Sequence, residues 1–115
     1  LFVTSPLTGT LAPSTGKLTV VTKSPATGTI IDCSIGGSAA AAIKFAGYDL
    51  IAVEGKASSP VYAVVEDGKA EIRDASQLWG KDTLVTEDML RDQVDDKGTA
   101  GVLCVGPAGE NQLPA

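Results

Sequence analysis

The residues best suited to hold a charged group lie in Ser24–Ser38. Near its end, Gly36 and Gly37 stand before Ser38. Glycine lets backbone approach a ligand closely and tolerates positive φ. Ser38 is a good helix N-cap residue, and the small-residue run after it, Ala39 to Ala46, has helical composition. The first N–H groups of a helix have no partners within it. A β-branched run, Leu18 to Thr22, leads into the stretch. Strand, glycine pair and helix start make either a cradle for an oxyanion or phosphate or only a tight turn. Pattern alone leaves both open.

Other chemistry is sparse. There is no His, so no Ser/His/Asp or Cys/His set can form. Neither G-x-x-x-x-G-K-[ST] nor G-x-G-x-x-G occurs. Cys33 and Cys104 lack C-x-x-C spacing and match no zinc or iron–sulfur pattern. They read as two buried free thiols. Asp95-Asp96 reads as a solvated pair at a helix end. Gly106-Pro107-Ala108-Gly109-Glu110 is a second glycine-rich loop, a turn more than an anion site, since Glu110 would repel a phosphate. Lys17 opens a strand, either as a solvated charge or as a cation facing a ligand. No catalytic constellation is complete, so any chemistry must come from a cofactor that the protein binds and polarises.

These residues need elements to position them. Leu1–Thr4 is a strand candidate that ends in Ser5-Pro6-Leu7-Thr8-Gly9-Thr10. That hexad returns nineteen residues later as Ser24-Pro25-Ala26-Thr27-Gly28-Thr29. Proline fixes φ and glycine frees it, so each hexad is a turn between strands. The repeat suggests an internal strand–turn duplication about a pseudo-two-fold, or one turn recipe used twice. Leu11–Gly16 is a loop. Ala39–Phe45 is a short helix stopped by Gly47, with an Ala-rich face that can pack close to a sheet. Leu50–Glu54 is a strand. Val61–Glu66 and Lys69–Arg73 form a hairpin about Asp67-Gly68. Both faces of Val61–Glu66 are largely apolar, which suits a strand covered on both sides. Asp74–Trp79 is a turn or short helix, with Trp79 as a packing anchor. Thr86 caps a helix over Glu87–Val94 whose buried stripe is Met89, Leu90 and Val94, and Asp95-Asp96-Lys97-Gly98 ends it. Val102–Val105 is a buried strand.

The expected fold is therefore α+β, with mixed and antiparallel sheets and two short helices. Its 115 residues suit a single domain, and the strand-like first residues, with no initiating Met, suggest a fragment of a larger protein. Aromatics make up 4%, so the core must be built from Val, Ile, Leu and Ala. A net charge of −5 without basic runs argues against a nucleic-acid surface. No stretch approaches the ~20 apolar residues of a membrane helix.

Thr22-Lys23-Ser24-Pro25-Ala26-Thr27-Gly28-Thr29-Ile30 resembles the N-terminal domain of the aldehyde:ferredoxin oxidoreductase family. So do Lys44–Asp49, Glu54–Ala57, Glu71–Ala75, Leu78–Thr83 and Gly106–Asn111, in order along the chain. The resemblance implies the pterin-facing platform of a tungsten-pterin, or molybdenum-pterin, enzyme. It implies a 4Fe-4S cluster whose ligands lie outside this chain, and a cytoplasmic setting. The full enzyme would oxidise an aldehyde to a carboxylic acid and pass electrons to ferredoxin. Other domains of the same enzyme, ferredoxin and the aldehyde are the implied partners, with a homodimer as the assembly. The fragment alone should be inactive.

The resemblance also assigns positions. Lys17 stands where the family has an Arg close to the pterin and the cluster. Ser34 stands where it has an Asn whose backbone carbonyl acts on a magnesium ion bridging the pterin phosphates. Gly36 matches a Gly that contacts the cofactor, with Gly37 beside it. Lys17 keeps the charge without the planar fork, and Ser34 is shorter than Asn. Ile31 replaces a Gly, and Ala39–Ala42 replace a more aromatic run. Two alternatives follow: a structural or interaction domain that has lost the cofactor, or the platform of a tungsten-containing aromatic-ring reductase.

Overall fold

In the computed structural model, residues 1–94 and 98–113 are described. Strand β1 (Phe2–Thr4) is followed by β2 (Lys17–Lys23), β3 (Ile30–Gly36) and helix α1 (Ala39–Phe45). Then come β4 (Leu50–Ile51), β5 (Val61–Glu66), β6 (Lys69–Asp74), α2 (Thr83–Arg91) and α3 (Pro107–Glu110). The first four strands form one sheet in the order β3-β2-β1-β4, and β5 and β6 form a separate hairpin. Every pairing is antiparallel. The architecture is the expected α+β arrangement, with one more short helix than the sequence suggested.

Helix α1 lies on one face of the larger sheet. Its Ala40 and Ile43 are buried against Leu18, with Phe2, Ala39, Tyr48 and Ile51 around them. Alanines permit this close approach, and they permit a second one on the other side. A Cβ added to Gly101 would lie 2.7 Å from the Cα of Ala39 and 2.9 Å from the Cβ of Ala42. The helix ends as its glycine foretells. Gly47 has φ +93°, its N–H donates to Lys44 O at 3.0 Å, and Tyr48 N–H donates to Ile43 O at 3.1 Å. That is the Schellman arrangement, which satisfies two otherwise orphaned carbonyls. Lys44 pairs with Asp49 just beyond.

Both hexads are turns, with Gly9 at φ +79° and Gly28 at φ +69°. They reverse the chain at opposite ends of β2, and Thr8 and Ser24 are buried within them. The Asp67-Gly68 turn has positive φ at both positions, 47° and 73°, the twist that suits a two-residue hairpin. Its Gly68 N–H donates to Ala46 O at 2.8 Å, which ties the hairpin to the end of α1.

Several expectations are corrected. β4 spans only Leu50–Ile51, which pair with Val3 and Phe2, and does not continue to Glu54. β5 has one neighbour and is an edge, with Val61 and Ala63 exposed. Val102–Val105 forms no strand; it runs from α1 to α2, where Gly106 meets Thr83, and three of its four residues are exposed. Helix α2 starts at Thr83, because the Asp82 carboxylate accepts from Leu84 N–H at 2.8 Å and Val85 N–H at 3.2 Å. An N-cap that satisfies two donors outcompetes Thr86, which is buried one turn inside the helix. Met89, Leu90 and Val94 are half-buried. Trp79 is 53% exposed and anchors no core. Cys33 and Cys104 are free, as expected, but exposed. Asp95-Asp96-Lys97, read as the stop of this helix and as a carboxylate pair, lie outside the described residues.

Candidate functional site at the edge of the larger sheet

The register of β2 and β3 brings the expected residues together. Lys17 pairs with Gly36, Thr19 with Ser34, Val21 with Asp32 and Lys23 with Ile30. Side chains alternate between the faces of a strand, and Leu18 points into the core under α1. Lys17, Ser34 and Asp32 therefore point to the opposite face, which α1 leaves open. All three are exposed, as is Gly36.

Backbone direction is fixed as well. Ser24 N–H donates to Thr29 O at 2.8 Å, which makes 24/29 a hydrogen-bonded pair. Antiparallel ladders alternate bonded and non-bonded pairs. So 22/31, 20/33 and 18/35 are bonded, and Ile31, Cys33 and Ile35 turn their N–H and C=O toward β2. The other side of β2 agrees: Val21 exchanges bonds with Leu1, Val21 N–H to Leu1 O at 2.9 Å and the Leu1 amine to Val21 O at 2.8 Å. The N–H and C=O of Ile30, Asp32, Ser34 and Gly36 consequently point away from the sheet, along an edge that no described strand covers.

The two glycines differ in their reasons. Gly37 has φ +120°, a conformation L side chains rarely adopt. Gly36 has ordinary extended backbone, and a Cβ there would sit 3.6 Å from Lys17 Nζ, a normal contact. The fold thus requires Gly at 37 but not at 36. Lys17 lies over Gly36 because they form a non-bonded pair, whose side chains are the closer kind. Lys17 Nζ, the Ser34 carbonyl and the Gly36 N–H share one open corner.

The helix start is not part of that corner. Ser38 occupies the N-cap position with φ −77° and ψ −19°, and its side chain makes no capping bond. A Cβ added to Gly101 would lie 3.2 Å from Ala39 N, so that segment crosses the first turn of α1. Beside it, free amides and carbonyls on β3 face outward. Asp32 is a member of this edge that the motif left unmarked. Its signal was the alternation of Ile31, Cys33 and Ile35 with Asp32, Ser34 and Gly36.

The second glycine-rich loop is occupied by protein. Both Glu110 carboxylate oxygens accept from Gly80 N–H, at 3.0 and 2.9 Å. Two concavities, of about 240 and 210 Å³, lie over the β5–β6 hairpin and between it and Tyr48–Ala52. Neither touches Lys17, Ser34 or Gly36. The candidate site is thus an open surface with a cationic corner. Among the described residues, no three His, Cys, Asp or Glu gather as a metal site, and no helix is long and apolar enough to cross a membrane.

Sheet and edge together define an α+β domain with one face partly covered by its own helix and the other left open. The chain belongs to the aldehyde ferredoxin oxidoreductase N-terminal domain family, which matches residues 1–115. It is 51% identical over 113 residues to the tungsten-containing aldehyde ferredoxin oxidoreductase of Pyrococcus horikoshii, covering 98% of this chain and 18% of that protein. It is 33% identical over 124 residues to the aliphatic sulfonate oxidoreductase, WOR-like subunit, of Pyrococcus furiosus, covering 98% of this chain and 20% of that one. Among solved structures, it is similar to the active-site complex of benzoyl coenzyme A reductase with 1,5 dienoyl-CoA. The TM-score there is 0.90, with 37% identity over 96% of this chain and 17% of that one. The chain thus spans about a fifth of the length of these relatives.

Proposed function

We propose that residues 1–115 are part of the platform on which a longer enzyme seats a tungsten-pterin, or molybdenum-pterin, cofactor. The observation that carries this reading is the corner at which Lys17 Nζ, the outward carbonyl of Ser34 and the outward N–H of Gly36 meet an open face. Lys17 offers a mobile ammonium to the cofactor phosphates. The Gly36 N–H donates to a phosphate oxygen, and the missing side chain admits the guest close to the backbone. The Ser34 carbonyl is a hard oxygen of the kind magnesium takes. Asp32 places a negative charge on the same face, so phosphates here need cationic compensation, which Lys17 and magnesium would supply.

When bound, such a cofactor supplies the redox chemistry by which an aldehyde and water become a carboxylic acid, two protons and two electrons. The electrons would leave through a 4Fe-4S cluster, with ligands elsewhere in the enzyme, to ferredoxin. The role of this chain is binding and electrostatics, in a cytoplasmic enzyme that acts as a homodimer. Identities near 50% to aldehyde ferredoxin oxidoreductases favour this substrate class. The likeness to benzoyl coenzyme A reductase supports aromatic-ring reduction as the second reading.

Lys17→Ala in the full-length protein tests the role of the cation. Tungsten and pterin per chain should fall severalfold, with Lys17→Arg retaining them. Cofactor content equal to wild type in Lys17→Ala would show that Lys17 does not hold the guest. Tungsten and molybdenum together far below one per chain in the wild type would favour a purely structural domain. Turnover of aldehydes against aryl coenzyme A thioesters separates the two enzymatic readings.

A further inference from the structure

The outer edge of β3 is unguarded. Natural edge strands are blunted by Pro, Lys, bulges or covering elements. β3 carries no Pro and no Lys, and Asp32 is its only charge. All seven of its residues are exposed, including Ile30, Ile31 and Ile35. Ile30 and Asp32 present unpaired N–H and C=O groups outward, in the ladder geometry derived above. Such an edge is a template for one more strand.

We propose that an extended segment from the remainder of the same polypeptide pairs with β3 at Ile30 and Asp32 and ends before Ser34. The inference rests on the reading that residues 1–115 belong to a longer enzyme, and it divides the edge into two halves. The first half takes a strand; the second half, Ser34 and Gly36, stays open to the cofactor. Gly37, at φ +120°, bends the backbone out of the strand at the point where the second half ends.

This chain is 18% of the length of its tungsten-containing relatives, so about four fifths of such a polypeptide is tethered to this domain. A tethered segment meets the edge at a high effective concentration that a separate partner lacks. Ile31, Cys33 and Ile35 lie on the same face as Leu18, beyond the reach of α1. A strand with an apolar residue beside Ile31 would cover it and extend that side of the sheet over the first half of β3.

Residue-resolved hydrogen exchange on the full-length protein, tungsten-replete and tungsten-depleted, is the test. The amides of Ile30 and Asp32 should exchange at least about a hundredfold slower than unstructured amides in both samples. Ile31, Cys33 and Ile35 are internal controls, protected through β2. Free exchange at Ile30 and Asp32 would overturn the proposal. So would protection only in the loaded protein, which would mark the guest, or protection lost on dilution to the monomer, which would mark a second copy. The platform reading fails separately, if the amides of Ser34 and Gly36 do not respond to loading. Asp32→Pro removes one outward N–H without touching the bonds to β2. It should lower the melting temperature and release Ile30; both unchanged would also refute an added strand.

Discussion

Leu18 and Ile35 are partners across β2 and β3, on the same face of one sheet. Leu18 is 1% exposed and Ile35 is 36% exposed. Residue type and strand geometry do not separate them; the reach of α1 does. The helix packs on β1 and β2, and seven residues give it a length of only ~10 Å. One helix width covers about two strand spacings, so β3 lies past its rim. The covered half of the sheet is a small closed core. The bare half is a surface that this chain cannot complete alone. The candidate site lies on the bare half, which is where a domain that supports a guest can leave backbone groups unpaired.

The sharpest way to break that contrast is to truncate both partners. Leu18→Ala should cost about 2–5 kcal/mol, the range for large-to-small changes in a core. Ile35→Ala should cost under about 1 kcal/mol in the 115-residue chain, measured by denaturant unfolding. If a strand pairs at Ile30 and Asp32 in the full-length protein, Ile31→Ala, on the same face as Leu18, should cost more there than in the 115-residue chain, while Ile35→Ala should stay small. Equal small costs of Ile31→Ala in both contexts would mean that the bare half stays bare.

A second measure addresses how α1 is held. Gly101→Ala forces a Cβ to within 3 Å of Ala39 and Ala42. Overpacking of this kind costs up to about 3 kcal/mol, and here the obstacle includes backbone, which cannot rotate aside. Thermal melting of Gly101→Ala and Gly101→Ser should show progressive loss. Unchanged melting temperatures would mean that the 100–102 segment does not lie on α1.

Sequence legibility follows the same division. Helix α1 and strand β5 were readable to the residue, and β6 to within one at Asp74, because their punctuation is local: Gly47 stops the helix, and Asp67-Gly68 folds the hairpin. The start of α2 was misread because two cap candidates, Asp82 and Thr86, lie four residues apart, and hydrogen bonding chose between them. Val102–Val105 has strand composition but pairs with no described strand, because it runs from α1 at Gly101 to the start of α2 at Gly106. Trp79 and both thiols were assigned to an interior that 115 residues with so few aromatics do not build. At the site, Gly36 and Lys17 stand out by residue type as candidates, while Ser34 and the roles assigned to all three come only through family resemblance. Which way their backbone groups point depends on ladder parity, and that is set by the turn at Ser24–Thr29.

The two glycines of the site separate folding from binding. Gly37→Ala should lose about 1 kcal/mol of stability, since its φ of +120° suits no side chain. Gly36→Ala should leave stability near wild type, because its Cβ would meet only the end of a lysine. In the full-length protein it should instead lower cofactor content. Melting curves beside tungsten analysis would show the crossed pattern. A drop in both properties for Gly36→Ala would mean that Gly36 serves the fold.

The thiols give the smallest effect. Partial burial, reinforced by the charge of Glu87, pushes the Cys104 thiol above its ordinary range. Its S–H lies 3.8 Å from the Thr83 carbonyl at the start of α2. The thiolate is the reactive form, so alkylation of Cys104 in a Cys33→Ser background should rise at higher pH than alkylation of free cysteine. The sign for stability follows from linkage. The unfolded thiol loses its proton first as pH climbs, so the margin is fully present below the unfolded value and is lost as pH rises from there through the higher folded value. Glu87→Gln should bring the alkylation midpoint down, but only part of the way, since burial remains. A midpoint at or below that of free cysteine would place Cys104 in open solvent, and the segment from Gly101 to Gly106 would then be as bare as β3.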